Sequence, residues 1–358
     1  MAYVSGNRGT TPNTVTNRLS DGLPVPVPDN PLNPVGGTTL NVFSMQNRVP
    51  YVEQFNLTVE RELAAGLVWS VSYVGTLSRK LAMVAEIDQA LPGPGTIQPR
   101  RAYYPLLPGV SSIQEMYTAG TADYHSLQTS IEHRFANGWN LISNYTYAHL
   151  IDDHQCRGGC KMGSEAGPFP VMSSNRRLDR GNSDIDLRHR WSMMVSYSPA
   201  FVANLHGIAG VLARGWQFNA IAVMQSGQTF TIQNSSARAN TGGGDRPNLV
   251  GDPYAVSQSP TQWFNAAAFA AQPLYTLGTV GRNTMYGPPM KNLDFSTFKN
   301  FQLRERTSLQ FRAEIFNILN HPNFGMPGSA LGASNFGVIS STGNYLPRNI
   351  QLALKLLF

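Results

Sequence analysis

The chain closes on Asn349-Ile350-Gln351-Leu352-Ala353-Leu354-Lys355-Leu356-Leu357-Phe358. Ile350, Leu352, Leu354, Leu356 and Phe358 recur at every second position, with Gln351, Ala353 and Lys355 between them. A period of two places one set on each face of an extended strand. The same alternation recurs upstream. Phe55, Leu57 and Val59 are interleaved with Gln54, Asn56, Thr58 and Glu60, and after Leu63-Ala64-Ala65-Gly66 the pattern resumes at Trp69, Val71 and Tyr73. Leu127, Thr129 and Ile131 lead into Ala136-Asn137-Gly138, an Asn-Gly pair suited to a tight hairpin, and then into Leu141, Ser143, Tyr145 and Tyr147. Further strands are read over Asp186–Tyr197, Trp216–Gln225 (less clean), Leu293–Thr297 and Leu309–Ile315.

That makes nine strands of roughly 9 to 11 residues, longer than the globular mean and suited to crossing a bilayer at a tilt. Their connections alternate in length. Short turns fall at 63–66, 136–138 and 304–306 and a moderate one at 198–214, whereas long connections fall at 77–123, 150–185, 226–292 and 319–347. Short turns on one side and long loops on the other is the asymmetry of an outer-membrane barrel. The fold expected is therefore all-β, an antiparallel transmembrane β-barrel wall with long extracellular loops and short periplasmic turns. Residues 1–50, with Pro24-Val25-Pro26-Val27-Pro28, show no periodicity and read as an irregular, loop-like segment before a partial barrel over 51–358.

Composition agrees. Only 13% of the 358 residues are charged, about half the usual share, while Gly (33), Pro (24) and aromatics (17 Phe, 14 Tyr, 5 Trp) are plentiful. Part of the exterior is expected to face lipid. No apolar run approaches the roughly 20 residues of a spanning helix; Phe201 to Ala213 is broken by Asn204 and His206. The start, Met1-Ala2-Tyr3-Val4-Ser5-Gly6, has neither the basic nor the apolar region of a signal peptide, from which the expectation is that the natural beginning lies further upstream. The net charge of +6 is diffuse and sits in no nucleic-acid motif, so no nucleic-acid partner is expected.

The final strand resembles the C-terminal assembly signal of outer-membrane barrels, which ends in an aromatic preceded by alternating apolar residues; here that signal would be Ile350, Leu352, Leu354, Leu356 and Phe358. Wider stretches resemble the barrel of Oar-like TonB-dependent receptors. They include Tyr51-Val52-Glu53-Gln54-Phe55-Asn56-Leu57, Tyr73-Val74-Gly75-Thr76, Asp186-Leu187-Arg188-His189-Arg190, Trp263-Phe264-Asn265 and Tyr286-Gly287-Pro288. The most specific is Phe316-Asn317-Ile318-Leu319-Asn320-His321-Pro322, inside Arg312–Phe324. The resemblance implies a non-enzymatic uptake protein for a large solute (oligosaccharide, peptide or metal chelate). It further implies a Gram-negative outer-membrane location and a barrel of about 22 strands, of which these nine would be the last. The implied partners are outer-membrane lipid and the barrel-assembly machinery, with a plug and TonB wherever a full-length receptor exists. The alternative of another class is a soluble β-rich surface-binding module.

No catalytic, cofactor or metal site is expected. Gly242-Gly243-Gly244-Asp245 lacks the Lys-Ser/Thr of a phosphate loop, and His125, His133, His149, His189 and His321 share no spacing with a Ser or Cys. Cys156 and Cys160, the only cysteines, lie in Asp152-Asp153-His154-Gln155-Cys156-Arg157-Gly158-Gly159-Cys160. An outer loop is oxidising, which favours a small disulfide ring; a metal site with His154, or free thiols, are the alternatives. Arg188, Arg190, Arg312 and Glu314 are candidate lumen-facing groups, read as ion-paired and able to meet a plug or solute.

Overall fold

The computed structural model describes residues 5–6, 38–136, 138–153, 170–202, 204–304, 307–343 and 346–358. Nine long strands run through it: β1 (Tyr51–Ala64), β2 (Leu67–Glu86), β3 (Val110–Ala136), β4 (Trp139–Asp152), β5 (His189–Tyr197), β6 (Trp216–Gln225), β7 (Met290–Arg304), β8 (Thr307–Phe316) and β9 (Asn349–Leu357). Each pairs antiparallel with the next in chain order, a pure up-and-down wall. Short and long connections alternate along it, as the sequence pattern predicts.

Two expectations change. The stretch 77–123, read as one long loop, is mostly strand: β2 spans 20 residues and β3 spans 27, with only 87–109 connecting them. Their outer halves pair far past the length a bilayer needs, so the wall continues as a ribbon above it. The period-two signal fades there because, above the bilayer, both faces meet protein or solvent of mixed character. Second, within the segment read as irregular, Thr38–Phe43 forms a strand parallel to the start of β3, pairing Leu40 with Ile113 and Phe43 with Met116.

Register fixes which residues share a face. Leu67, His133, Leu141, Val195, Ala220, Phe295, Ile315 and Ile350 form one continuous row from β2 to β9. Asn140, Ser196, Asn219, Ser296, Glu314 and Gln351 form a row on the opposite face. The first row is apolar apart from one histidine, and the second is polar throughout. Side chains of the second row bond to one another across strands. Ser196 Oγ donates to Asn219 Oδ1 at 2.8 Å, and Asn219 Nδ2 donates to Ser296 Oγ at 3.2 Å. Further along that face Ser70 and Ser130 hydroxyls meet at 2.7 Å.

Aromatics on the apolar face collect at two levels. Trp69, Trp139, Tyr197 and Trp216 stand within three residues of an inner turn, with Trp139 stacked on Tyr197 at 4.3 Å. Tyr73, Tyr145, Tyr147 and Trp191 stand further out, where Tyr73 and Tyr145 hydroxyls bond His125 and His189 at 2.8 Å each. The eight steps from Trp139 to Tyr147 span about 20 Å along the barrel axis at ~3.3 Å per residue and a ~40° tilt, close to the ~25 Å apolar band of such barrels.

Two glycines are required by the wall. Gly75 lies opposite Phe55, whose ring covers it so closely that a Cβ would stand 2.3 Å from Cε2. Gly138 has φ +87°, and a Cβ there would come within 1.9 Å of the Ser198 carbonyl of the adjoining inner turn.

The two faces should respond differently to charge. Leu354→Arg, on the apolar face of β9, is expected to cost about 2–4 kcal/mol, while Ala353→Arg, one residue away on the polar face, should cost under about 1 kcal/mol. Urea titration of the protein refolded in vesicles measures both; equal costs would mean that neither face meets lipid.

Candidate functional site at the outer end of the wall

Hydrophobic burial in this protein is concentrated outside the wall. Ile232, Trp263, Phe264, Ala268, Phe269, Val280, Met285 and Ile339 form one buried cluster, with Phe230, Phe324, Leu331 and Phe336 packed against it. All come from the β6–β7 and β8–β9 connections. Those loops fold over each other through the backbone: Trp263 N donates to Gly337 O at 2.8 Å, and Gln233–Asn234 runs parallel to Ala330–Leu331. The long loops are thus a folded cap with its own core.

Ion pairs tie the cap to the outer end of β4 and to the β4–β5 connection. Arg282, in the β6–β7 connection, is buried and bonds the carboxylate of Asp152 at the outer end of β4, donating also to Asn182 O at 3.0 Å. Arg246 reaches the buried Asp179 in the same way and donates to Leu178 O at 2.9 Å. Burial pulls the Arg246 pKa down, and the adjacent Asp179 carboxylate works against that shift. Asp186 accepts Leu150 N at 2.7 Å and holds Arg188 at 3.3 Å.

The segment Phe316–Asn323 shapes the mouth on the polar face. Asn317 and Asn320 both adopt φ +49°, a left-handed conformation that asparagine tolerates. Asn317 N donates to Asp294 Oδ1 at 2.8 Å, while its side chain bonds His321 N at 2.9 Å and His321 O at 3.0 Å. Asn323 clasps Lys291 through both N–H and carbonyl at 2.8 and 3.0 Å, and Asn320 Oδ1 accepts Arg348 N at 3.0 Å. Three asparagines spaced by three thus replace backbone partners where β7, β8 and β9 leave the ladder. Beside them opens a cavity of about 520 Å³ lined by Val223, Met290, Asn292, Asp294, Phe316 and Leu346 among others. Its walls combine apolar surface with amide groups and one carboxylate.

A second cavity, about 470 Å³, lies by the β3 extension and is lined by Glu115, Tyr117, Asp153, Arg176, Arg177 and Arg180 among others. Arg176 meets Asp153 at 3.3 Å, and Asp123 bridges Arg180 at 2.7 Å and Arg79 at 2.5 Å. Burial pushes the Tyr117 phenol above its usual pKa, against the pull of Arg176, so it stays a neutral donor. Three guanidinium groups against two lining carboxylates leave a net positive site, able to hold an anionic group.

The four residues singled out by sequence separate. Arg188, just before β5, pairs with Asp186 and reaches Tyr286 Oη of the cap at 3.2 Å. Arg190 pairs in register with Gln225 and Thr146. Arg312 and Glu314 share the polar face of β8, yet Arg312 stacks over the Phe298 ring at 4.9 Å and donates to Gln310 at 2.5 Å. Arg312 thus engages Phe298 on the neighbouring strand and Gln310 along its own, while Arg188 forms its ion pair with Asp186. Ile350, Leu352, Leu354 and Leu356 lie exposed on the apolar face of β9, and Phe358 follows the strand. Cys156 and Cys160 lie outside the described residues. Among the described residues no group of three or more His, Cys, Asp or Glu is placed to hold a metal ion. His149 bonds Asn182 at 2.9 Å, so three of the histidines serve as partners of a tyrosine or an asparagine. The buried Arg–Asp pairs were missed by sequence reading because the partners lie far apart in the chain.

Residues 2–351 match a family model described as an outer membrane beta barrel domain. No curated protein matches the sequence. Among solved structures, similarity is found to the outer membrane transporter YddB from Escherichia coli, at 11% identity and a TM-score of 0.45 over 90% of this chain and 34% of that one. A ferric enterobactin receptor variant (PfeA) from Pseudomonas aeruginosa gives 13% identity and a TM-score of 0.45 over 89% and 33%. The FrpB iron transporter from Neisseria meningitidis gives 9% and 0.41 over 88% and 32%. The chain spans about a third of the length of these structures.

Proposed function

This chain belongs to the outer membrane beta barrel domain family and is an outer-membrane protein of Gram-negative bacteria, and from that premise we propose that it forms part of the wall and mouth of a TonB-dependent, Oar-like receptor that takes up a large polar solute. The observation that carries the reading is the wall itself. One continuous nine-strand surface presents an apolar row to one side and a hydrogen-bonded row of Asn, Ser, Gln and Glu to the other. The polar row lines the lumen, with Arg190, Arg312 and Glu314 among its charges. β1 and β9 each pair on one side only among the described residues and are exposed along their length. An unpaired edge is not sustained in hydrocarbon, so these edges are where further strands of the barrel join. Passage through the lumen would be gated by a plug coupled to TonB, and insertion would follow recognition of β9 by the assembly machinery.

Amide groups, one carboxylate and apolar surface at the mouth suit a solute rich in hydroxyls, which among oligosaccharides, peptides and metal chelates favours the first. Val223→Trp, filling the mouth cavity, should lower accumulation of that solute by about tenfold, roughly 1.4 kcal/mol, and leave heat-modifiable gel mobility unchanged. The deciding comparison is uptake of large oligosaccharides by intact cells with and without the gene, each with and without an uncoupler. Gene- and energy-dependent uptake is expected. A folded monomer that stays in buffer without detergent would instead make the chain a soluble binding module.

A further inference from the structure

The inner connection between β5 and β6 is long for a periplasmic turn, and its residues are of an unusual kind. From Pro199 to Ala213 it contains no Asp, Glu, Lys or Arg. It folds into a short 3-10 turn (Ala200–Val202) and a helix, α1 (Gly207–Ala213). Phe201, Ile208, Val211 and Leu212 are exposed by 78%, 82%, 59% and 65%. Within α1, Ile208, Val211 and Leu212 fall at the three- and four-residue spacing that aligns side chains along one stripe of a helix, and the exposed Leu205 stands just before it. On a turn facing water, such a stripe would be uncompensated.

The placement of α1 indicates what covers it. Lys299 of β7 lies on the apolar face, in register with Trp216 and Phe311. A lysine there would be costly, but its side chain is buried and its ammonium turns to the end of α1. Nζ donates to Val211 O at 2.9 Å, to Leu212 O at 3.0 Å and to Arg214 O, and it lies 5.2 Å from the Trp216 ring and 5.1 Å from that of Phe301. Trp216 Nε1 adds a bond to Leu212 O at 2.8 Å. Carbonyls left open at the helix end are thereby satisfied without water. Gly210 is the buried point of the helix, where a Cβ would stand 2.4 Å from Leu205 O. The helix end is therefore fastened to Lys299 and Trp216, which share the apolar face at the inner rim of the wall, and its apolar side chains stand exposed beside them.

We infer that this turn is an interfacial membrane anchor: Phe201, Leu205, Ile208, Val211 and Leu212 enter the inner leaflet of the outer membrane beside the wall, and Lys299 holds the helix there. The ligand is the lipid surface, and short amphipathic helices bind such surfaces with the apolar side buried about 5–10 Å below the headgroups. The inference rests on the reading of the apolar face as lipid-facing.

The test places nitroxide labels at Ile208→Cys and Leu212→Cys in the full chain, with Cys156→Ser and Cys160→Ser as background. The protein is reconstituted in phosphatidylethanolamine–phosphatidylglycerol vesicles, with Leu354→Cys as the lipid reference and Ser257→Cys as the water reference. Oxygen should relax the labels at 208 and 212 more than a water-soluble nickel chelate does, as at 354 and opposite to 257. Lys299→Met should raise label mobility at 208 while 354 is unchanged. Nickel-dominated relaxation at 208 and 212 with a lipid-like signal at 354 overturns the anchor alone. Loss of access to both relaxants at 208 and 212 means that protein covers the helix, which also overturns it. A water-like signal at 354 overturns the membrane reading of the wall and the anchor with it.

Discussion

Phe264→Ala is expected to melt the outer cap at a cost of about 3–5 kcal/mol while the strand wall persists. Phe264 is fully buried, edge-on to Phe336 at 5.0 Å and to Phe269 at 5.6 Å, and 6.1 Å from Phe230. Removing the ring leaves a cavity at the point where both long loops meet, beside the Trp263–Gly337 backbone bond that joins them. The wall depends instead on ladder hydrogen bonds and lipid contact. Cap and wall are thus separable cooperative units. Hydrogen exchange should accelerate over 226–289 and 319–343 and stay slow in β3, β4 and β8. Simultaneous loss of protection in those strands would show that the cap is not a unit of its own.

Arg282→Ala should be comparably severe, again about 3–5 kcal/mol, because it strands a charge instead of emptying a cavity. Asp152 keeps only 10% of its side chain exposed, and the guanidinium also serves Asn182 O. A carboxylate left there must be dehydrated without a partner or take up a proton. Arg282→Ala with Asp152→Leu should recover much of the loss, since removing both charges is milder than removing one. Limited proteolysis of the β6–β7 connection reads the effect. A loss within the ~1 kcal/mol of an exposed pair would mean that water reaches the site.

How much of this was readable beforehand varies with distance along the chain. The strands β1, β4, β8 and β9 announce themselves because alternation is a property of adjacent residues. The outer halves of β2 and β3 do not: above the bilayer both faces meet protein or solvent of mixed character, so Thr118–Asp123 carries no period. Trp263-Phe264-Asn265 and Tyr286-Gly287-Pro288 were recognisable as words without a meaning. In the fold, Trp263 and Phe264 fill the cap core and Asn265 Oδ1 accepts Ala267 N at 3.2 Å. Tyr286 O receives the Trp263 indole at 2.8 Å. The asparagines of Phe316–Asn323 likewise take their meaning from Asp294 and Lys291 on a different strand. In the sequence Phe201–Ala213 is an apolar run broken by Asn204 and His206 within a moderate turn, and nothing local marks Lys299, 86 positions beyond Ala213, as the group that fastens it.

By itself the sequence determined an up-and-down β wall, its two faces, the inner turns and the outer side, because the period of two and the turn residues are local and each apolar face must leave water. Only the tertiary structure decided where the protein has a dry interior and what locks it. Arg282 and Asp152 lie 130 residues apart, and Phe230 and Phe336 meet through Phe264 from separate loops. Such contacts have no periodic signature. They exist because the wall brings the ends of distant strands together, and the loops then bury against one another what the wall leaves free.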